Sequence, residues 1–115
     1  MISKQLIRDT VVKLFRQAVT SLPRDVECAL EKAYKWEKSK ISRIQLNAIL
    51  ENVKLAGKCS IPMCQDTGMV IVFLELGQDV HICNGNLYDA INDGVRKGYK
   101  NGYLRKSVVS DPILR

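Results

Sequence analysis

Histidine is nearly missing from this chain: His81 is the single one in 115 residues. Cysteine is limited to four, and only Cys59 and Cys64 lie close in sequence. With no second cysteine pair and one imidazole, the ligand set argues against a four-ligand zinc centre. No apolar run approaches the length of a membrane span. The start, Met1-Ile2-Ser3-Lys4-Gln5-Leu6, lacks the continuous apolar core of a signal peptide. The expectation is a cytoplasmic chain whose cysteines serve as thiols or metal ligands rather than as a disulfide framework. Internal repeats, low-complexity tracts and flexible linkers are also missing. So is any basic stripe interleaved with aromatics, which disfavours a nucleic-acid interface.

What is present describes an ordinary globular chain. Apolar residues make up 46% and charged residues 26%, enough to bury a modest core but little for an enzyme that encloses a site unaided. The net charge of +6 suits a small anionic substrate, and equally suits a solvated basic surface.

The first half carries helical periodicity. Ile7, Val11, Leu14, Phe15, Ala18 and Leu22 share one face. Pro23 interrupts, and Arg24 and Asp25 open a second helix with Val26, Ala29, Leu30, Ala33 and Trp36 as its apolar set. Ser39 or Ser42 caps a third, whose apolar residues from Ile44 to Ala56 occupy more than one face, with Gly57 as its stop. Then the period changes. Met69-Val70-Ile71-Val72-Phe73-Leu74 reads as a strand covered on both faces. Gly77-Gln78-Asp79 supplies a tight turn, and Val80-His81-Ile82-Cys83 returns as the second arm of a hairpin. Asn84 or Asn86 caps a fourth helix from Leu87 to about Lys100, where Gly94 and Gly98 permit close approach on one side. Leu104 to Val109 follows as an extended segment. The fold class expected is α+β and α-rich: a helical N-terminal half, a β-hairpin and a further helix. The chain is read as one partial domain, with residues 1–57 helical and 58–115 holding the loop, hairpin, helix and terminal segment.

The densest chemistry lies in Pro62-Met63-Cys64-Gln65-Asp66-Thr67-Gly68. A thiol, an amide, a carboxylate and a hydroxyl occupy successive positions between a stiffening proline and a freeing glycine. Each residue has two readings. Cys64 is a buried small hydrophobe or a metal ligand or reactive thiol. Asp66 satisfies turn amides or moves protons beside a bound anion. Gln65 hydrogen-bonds a substrate, and Thr67 does likewise or caps the turn. The Cys59–Cys64 spacing occurs in some iron–sulfur sites but lacks further ligands. His81 is read as a surface or packing residue, Cys28 and Cys83 as packing residues. Arg105, in Leu104-Arg105-Lys106-Ser107, is an anion-binding fork or a plain surface arginine.

The run resembles the P-x-C-Q-D-T-G signature of class I, iron–sulfur fumarate hydratases and L-tartrate dehydratases, in their α subunit or N-terminal region. The flanks agree in order: Leu22-Pro23-Arg24-Asp25-Val26, Glu51-Asn52-Val53-Lys54-Leu55-Ala56, the signature, a strand ending at Gly77, then Leu104-Arg105-Lys106-Ser107. The resemblance implies a [4Fe–4S] hydro-lyase that hydrates or dehydrates a small dicarboxylate, with fumarate/malate favoured over tartrate. It implies that Cys64 is one of three cysteine ligands, leaving one iron open to substrate. It further implies that Gln65 contacts the dicarboxylate, that Asp66 both contacts it and transfers a proton together with a β-region group, and that Arg105 grips a carboxylate. The family's other two cluster cysteines lie downstream of Arg115, so Cys28, Cys59 and Cys83 inherit no ligand role. The chain is thus expected to be an N-terminal fragment, inactive and without a stable cluster alone. Its expected partners are the rest of the α subunit and a β subunit or region, within a larger oligomer. The rival readings are an L-tartrate dehydratase α subunit, or a non-catalytic truncated remnant or subunit-binding module.

Overall fold

A computed structural model describes residues 1–66 and 68–114; Thr67 and Arg115 lie outside the described residues. The element order is β1 (Ile2–Ser3), α1 (Lys4–Thr20), α2 (Arg24–Trp36), α3 (Lys40–Cys59), β2 (Ile82–Cys83) and α4 (Leu87–Asn101). The α-rich α+β expectation holds. No described helix is long and apolar enough to cross a membrane. The chain divides into two compact units, one of Met1–Arg16 with Cys64–Arg115, the other Gln17–Met63.

In the Gln17–Met63 unit, α2 opens directly after Pro23 and places Asp25 and Glu27 in its first turn and Lys35 in its last, each sign opposing the helix dipole. The cap of α3 is Ser39, whose hydroxyl accepts the Ser42 N–H at 3.4 Å. Arg43 of α3 lies over the Tyr34 ring of α2, 4.9 Å from its centroid. Leu50 and Ala56 form the buried side of α3, while Ile44, Ile49 and Leu55 face outward. The helix does not stop at Gly57. It runs on to Cys59, and Ser60 takes the left-handed conformation (φ 54°) while the Ile61 N–H closes back on the Ala56 carbonyl at 3.2 Å. A serine therefore fills the role expected of the glycine.

The other unit is built on α1 against α4. Ser3 Oγ accepts the Leu6 N–H and Asn86 Oδ1 the Tyr88 N–H, so each helix starts on a side-chain cap. Gly94 and Gly98 are buried where the helices meet. A Cβ on Gly94 would stand 2.7 Å from Val11 Cβ and 2.9 Å from the Arg8 carbonyl oxygen, and one on Gly98 2.5 Å from Phe15 Cδ1. The close approach expected of these glycines is present. Ion pairs flank it: Lys4 with Asp93 at 3.0 Å, and Lys97 with Asp9 at 3.3 Å. The Arg8 guanidinium, followed by Lys97, holds the Asp9 carboxyl below its ordinary range, and Lys4 with Arg96 does the same to Asp93.

The hairpin is where the fold departs from expectation. Met69–Leu74 forms no strand among the described residues, although the turn itself closes, with the Val80 N–H on the Gly77 carbonyl at 3.1 Å. Ile82–Cys83 pairs in parallel with Ile2–Ser3 instead, and the Ile2 N–H donates to the His81 carbonyl at 2.9 Å. A segment apolar on both sides needs cover on both faces to become an interior strand. Here Phe73 is 93% exposed.

Candidate functional site

The signature run leaves Gln17–Met63 and enters the second unit between Met63 and Cys64. Its first end is held within the first unit: Asn52 Nδ2 donates to the Met63 carbonyl at 2.7 Å, and the Met63 N–H to the Val19 carbonyl at 3.0 Å. Its other end is held within the second. Tyr99, on the last turn of α4, donates its hydroxyl to the Gly68 carbonyl at 3.1 Å, while its ring rests against Phe15 with centroids 5.2 Å apart. Gly68 sits at φ +56° with open space where a Cβ would be, so glycine is favoured there by backbone conformation rather than by crowding.

Between these anchors Cys64, Gln65 and Asp66 are all exposed. Asp66 Oδ1 accepts the Gly68 N–H at 3.2 Å, and the Cys64 thiol donates to the Asp66 carbonyl at 3.1 Å. The turn-satisfying role of Asp66 is therefore real. It does not hide the side chain, since the carboxylate stays at the surface beside the thiol and the amide. Thr67, the fourth residue of the constellation, lies outside the described residues. The buried-hydrophobe reading of Cys64 is not met: its thiol is exposed and free, as is that of Cys59, while Cys28 and Cys83 are half-buried. The thiol's hydrogen-bond partner is a backbone carbonyl, not the exposed His81.

Arg105 stands apart from the loop in sequence, on the segment that leaves α4. Buried Leu104 pins that segment by its N–H to the Tyr99 carbonyl at 3.3 Å. Arg105 is exposed and donates through Nε to Ser107 Oγ at 3.1 Å. Between α4 and this segment runs an open groove of about 800 Å³ with Val95, Tyr99, Leu104 and Val108 as apolar walls and Arg96, Lys100 and Lys106 as cations. Farther on, the Leu114 and Ile113 N–H groups hold the Asp111 carboxyl below its usual range. Tyr99 thus touches the loop, the groove and α1 together, yet it gave no sequence signal beyond its place near the end of an amphipathic helix. Asn52 was equally silent as an anchor, being one polar residue on a helix exposed along most of its length.

Among the described residues, no three His, Cys, Asp or Glu side chains converge as a metal cage. The loop offers one soft donor, the Cys64 thiol, in a position open to a larger group. A cluster with thiolate ligands fits that donor as one corner of its coordination.

The matching family model is that of fumarate hydratase (Fumerase), over residues 8–115. The chain belongs to this family. The fumarate hydratase family match thus takes in the signature loop, α4 and Arg105 together. Two curated relatives agree. A Methanocaldococcus jannaschii protein named as the α subunit of an L(+)-tartrate dehydratase is 46% identical over 110 residues, covering 95% of this chain. A Geobacillus stearothermophilus protein named as a class I fumarate hydratase is 29% identical over 102 residues, covering 88%. The chain spans 38% of the first relative's length and 20% of the second's.

Proposed function

We propose that this chain is the N-terminal part of an iron–sulfur hydro-lyase of the fumarate hydratase family that reversibly hydrates a small dicarboxylate, with fumarate and malate as the pair. The observation that carries the reading is the exposed Cys64-Gln65-Asp66 triplet, held at both ends by hydrogen bonds, inside the stretch that matches the family. When bound, a [4Fe–4S] cluster supplies Lewis acidity at one iron toward hydroxyl and carboxylate oxygens. Cys64 would hold that cluster through its sulfur, and the remaining ligands would be supplied by the rest of the α subunit. Gln65 orients the dicarboxylate through its amide. Asp66 keeps one oxygen on the Gly68 N–H and takes or returns a proton at the adjacent carbon through its carboxylate. Arg105 grips a substrate carboxylate through its planar fork. The net charge of +6 favours arrival of a dianion. The rest of the α subunit and a β subunit or region complete the site, in a cytoplasmic oligomer, and the chain alone has no hydratase activity.

A second reading is supported by the 46% identity to the protein named as a tartrate dehydratase α subunit: the same chemistry on L-tartrate. The two are separated by assaying the complete enzyme on fumarate, malate and L-tartrate side by side. The family chemistry itself is tested there with two substitutions. Cys64→Ser abolishes the cluster absorbance and lowers iron content, and unchanged iron sinks the ligand assignment. Arg105→Ala raises KM or lowers turnover with iron intact; loss of iron in that variant removes it from the substrate site.

A further inference from the structure

The stretch Met69–Leu76 is unsatisfied in two ways. No backbone group within it pairs with another described backbone group. Its side chains also alternate in exposure: Met69, Ile71 and Phe73 are 76%, 73% and 93% exposed, against 42% for Val72 and 53% for Leu74, with Val70 half-buried. A period of two is that of an extended strand, here with one face partly sheltered and the other bare. A contiguous apolar face beside an unpaired backbone edge is an interaction surface.

We propose that Met69–Leu76 is a docking strand, covered by the remainder of a dehydratase-type α subunit. That remainder adds a strand to its backbone edge and packs apolar side chains over Met69, Ile71 and Phe73. The proposal rests on the reading of this chain as part of such a subunit. Four observations select the occupant. The unpaired edge calls for a polypeptide with hydrogen-bonding groups of its own, which a lipid tail does not supply. The stretch holds Glu75 and no cation, the wrong chemistry for an anionic membrane surface. A second copy would bring another +6 of net charge against the first. The M. jannaschii relative, by contrast, extends this same matched region with most of its own length, since the match covers 38% of it.

The test is hydrogen exchange read by mass spectrometry on the full chain, alone and mixed with the unmatched part of the M. jannaschii α subunit. A single-chain fusion of the two is measured in parallel in case the added part does not fold separately. Amides of Met69–Leu76 are expected to exchange at least tenfold more slowly in the mixture or the fusion. Phe73→Asp is expected to remove that protection, while Trp36→Asp, at another exposed apolar site, leaves it. Protection that falls elsewhere while Met69–Leu76 stays unchanged overturns the proposal. So does no protection in either format, or a chain that is already dimeric and protected in this stretch alone. If the strand is protected but the assembly, supplied with its β subunit and a reconstituted cluster, turns over no dicarboxylate, the functional reading falls and the docking strand stands. Turnover with an unprotected strand does the opposite: the hydro-lyase reading stands and the docking strand falls.

Discussion

The seam between α1 and α4 and the stretch Met69–Leu76 belong to one compact unit and are both apolar, yet one is closed and the other open. At the seam each apolar position has a counterpart. Gly94 and Gly98 admit Val11 and Phe15, Ala90 is fully buried, and Lys4–Asp93 and Lys97–Asp9 flank the contact. In Met69–Leu76 the same kind of side chain meets solvent. Local periodicity becomes packing only where the matching face is supplied nearby in the fold. A segment apolar on both sides needs two faces, and here it has at most part of one.

The seam is the place to break first. Gly94→Ala sets a Cβ against both Val11 Cβ and the Arg8 carbonyl oxygen, neither of which is the free end of a flexible chain. Overpacking of this kind costs about 1–3 kcal/mol, and replacing a helical glycine recovers about 1 kcal/mol of propensity. A net loss of up to about 2 kcal/mol is expected, seen as a lower urea midpoint at unchanged slope. A stabilised variant would mean the helices are not in contact there.

Tyr99→Phe sharpens the link from seam to signature loop. The ring and its contact with Phe15 remain, and only the hydroxyl on the Gly68 carbonyl is lost. One neutral hydrogen bond at a partly exposed site is worth about 0.5–1 kcal/mol. The expected signature is local: faster amide exchange at Gly68, with α4 unaffected. Equal acceleration along α4 would show that the tyrosine serves the helix and not the loop.

Acid probes the pairs that flank the seam. Asp9 and Asp93 have carboxyls lowered below their ordinary value, chiefly by Arg8 and by Lys4 respectively. A depressed folded-state value stabilises above the unfolded value, about 3.9. That contribution is lost as pH falls through the folded-state value. The urea midpoint is therefore expected to hold from neutral pH down to about 5 and to drop below about 4. Because these side chains are still more than a third open to solvent, the drop is small and weaker in high salt. Asp9→Asn with Asp93→Asn should flatten the acid limb, and an unchanged limb would assign it to other carboxylates.

Much of this was legible in the sequence because it is local. Asn86 as a cap, the four helices, the two glycines of α4 and the turn at Gly77 each depend on residues a few positions apart. Cys64, Gln65 and Asp66 were legible as a group because adjacency alone brings them together. What escaped was non-local or silent in pattern. Ile82–Cys83 found Ile2–Ser3 at the far end of the chain rather than its hairpin neighbour, and strand pairing over that distance leaves no periodic trace. Ser60 adopted a left-handed cap that composition assigns to Gly57. Asn52 and Tyr99 act through single polar atoms, which no hydrophobic period encodes.

The smallest effect is the most discriminating. Phe73→Ser removes the most exposed of the bare side chains, 93% open to solvent, so in the chain by itself the unfolding free energy from urea titration should change by less than about 0.5 kcal/mol. The same change beneath a packed layer deletes a core aromatic, where truncation costs about 3–5 kcal/mol. The isolated chain and the single-chain fusion therefore give opposite results from one substitution if Met69–Leu76 is a strand awaiting its cover. A loss above about 1 kcal/mol in the isolated chain would mean that Phe73 is already packed. The open stretch would then be closed in solution, and its contrast with the seam would vanish.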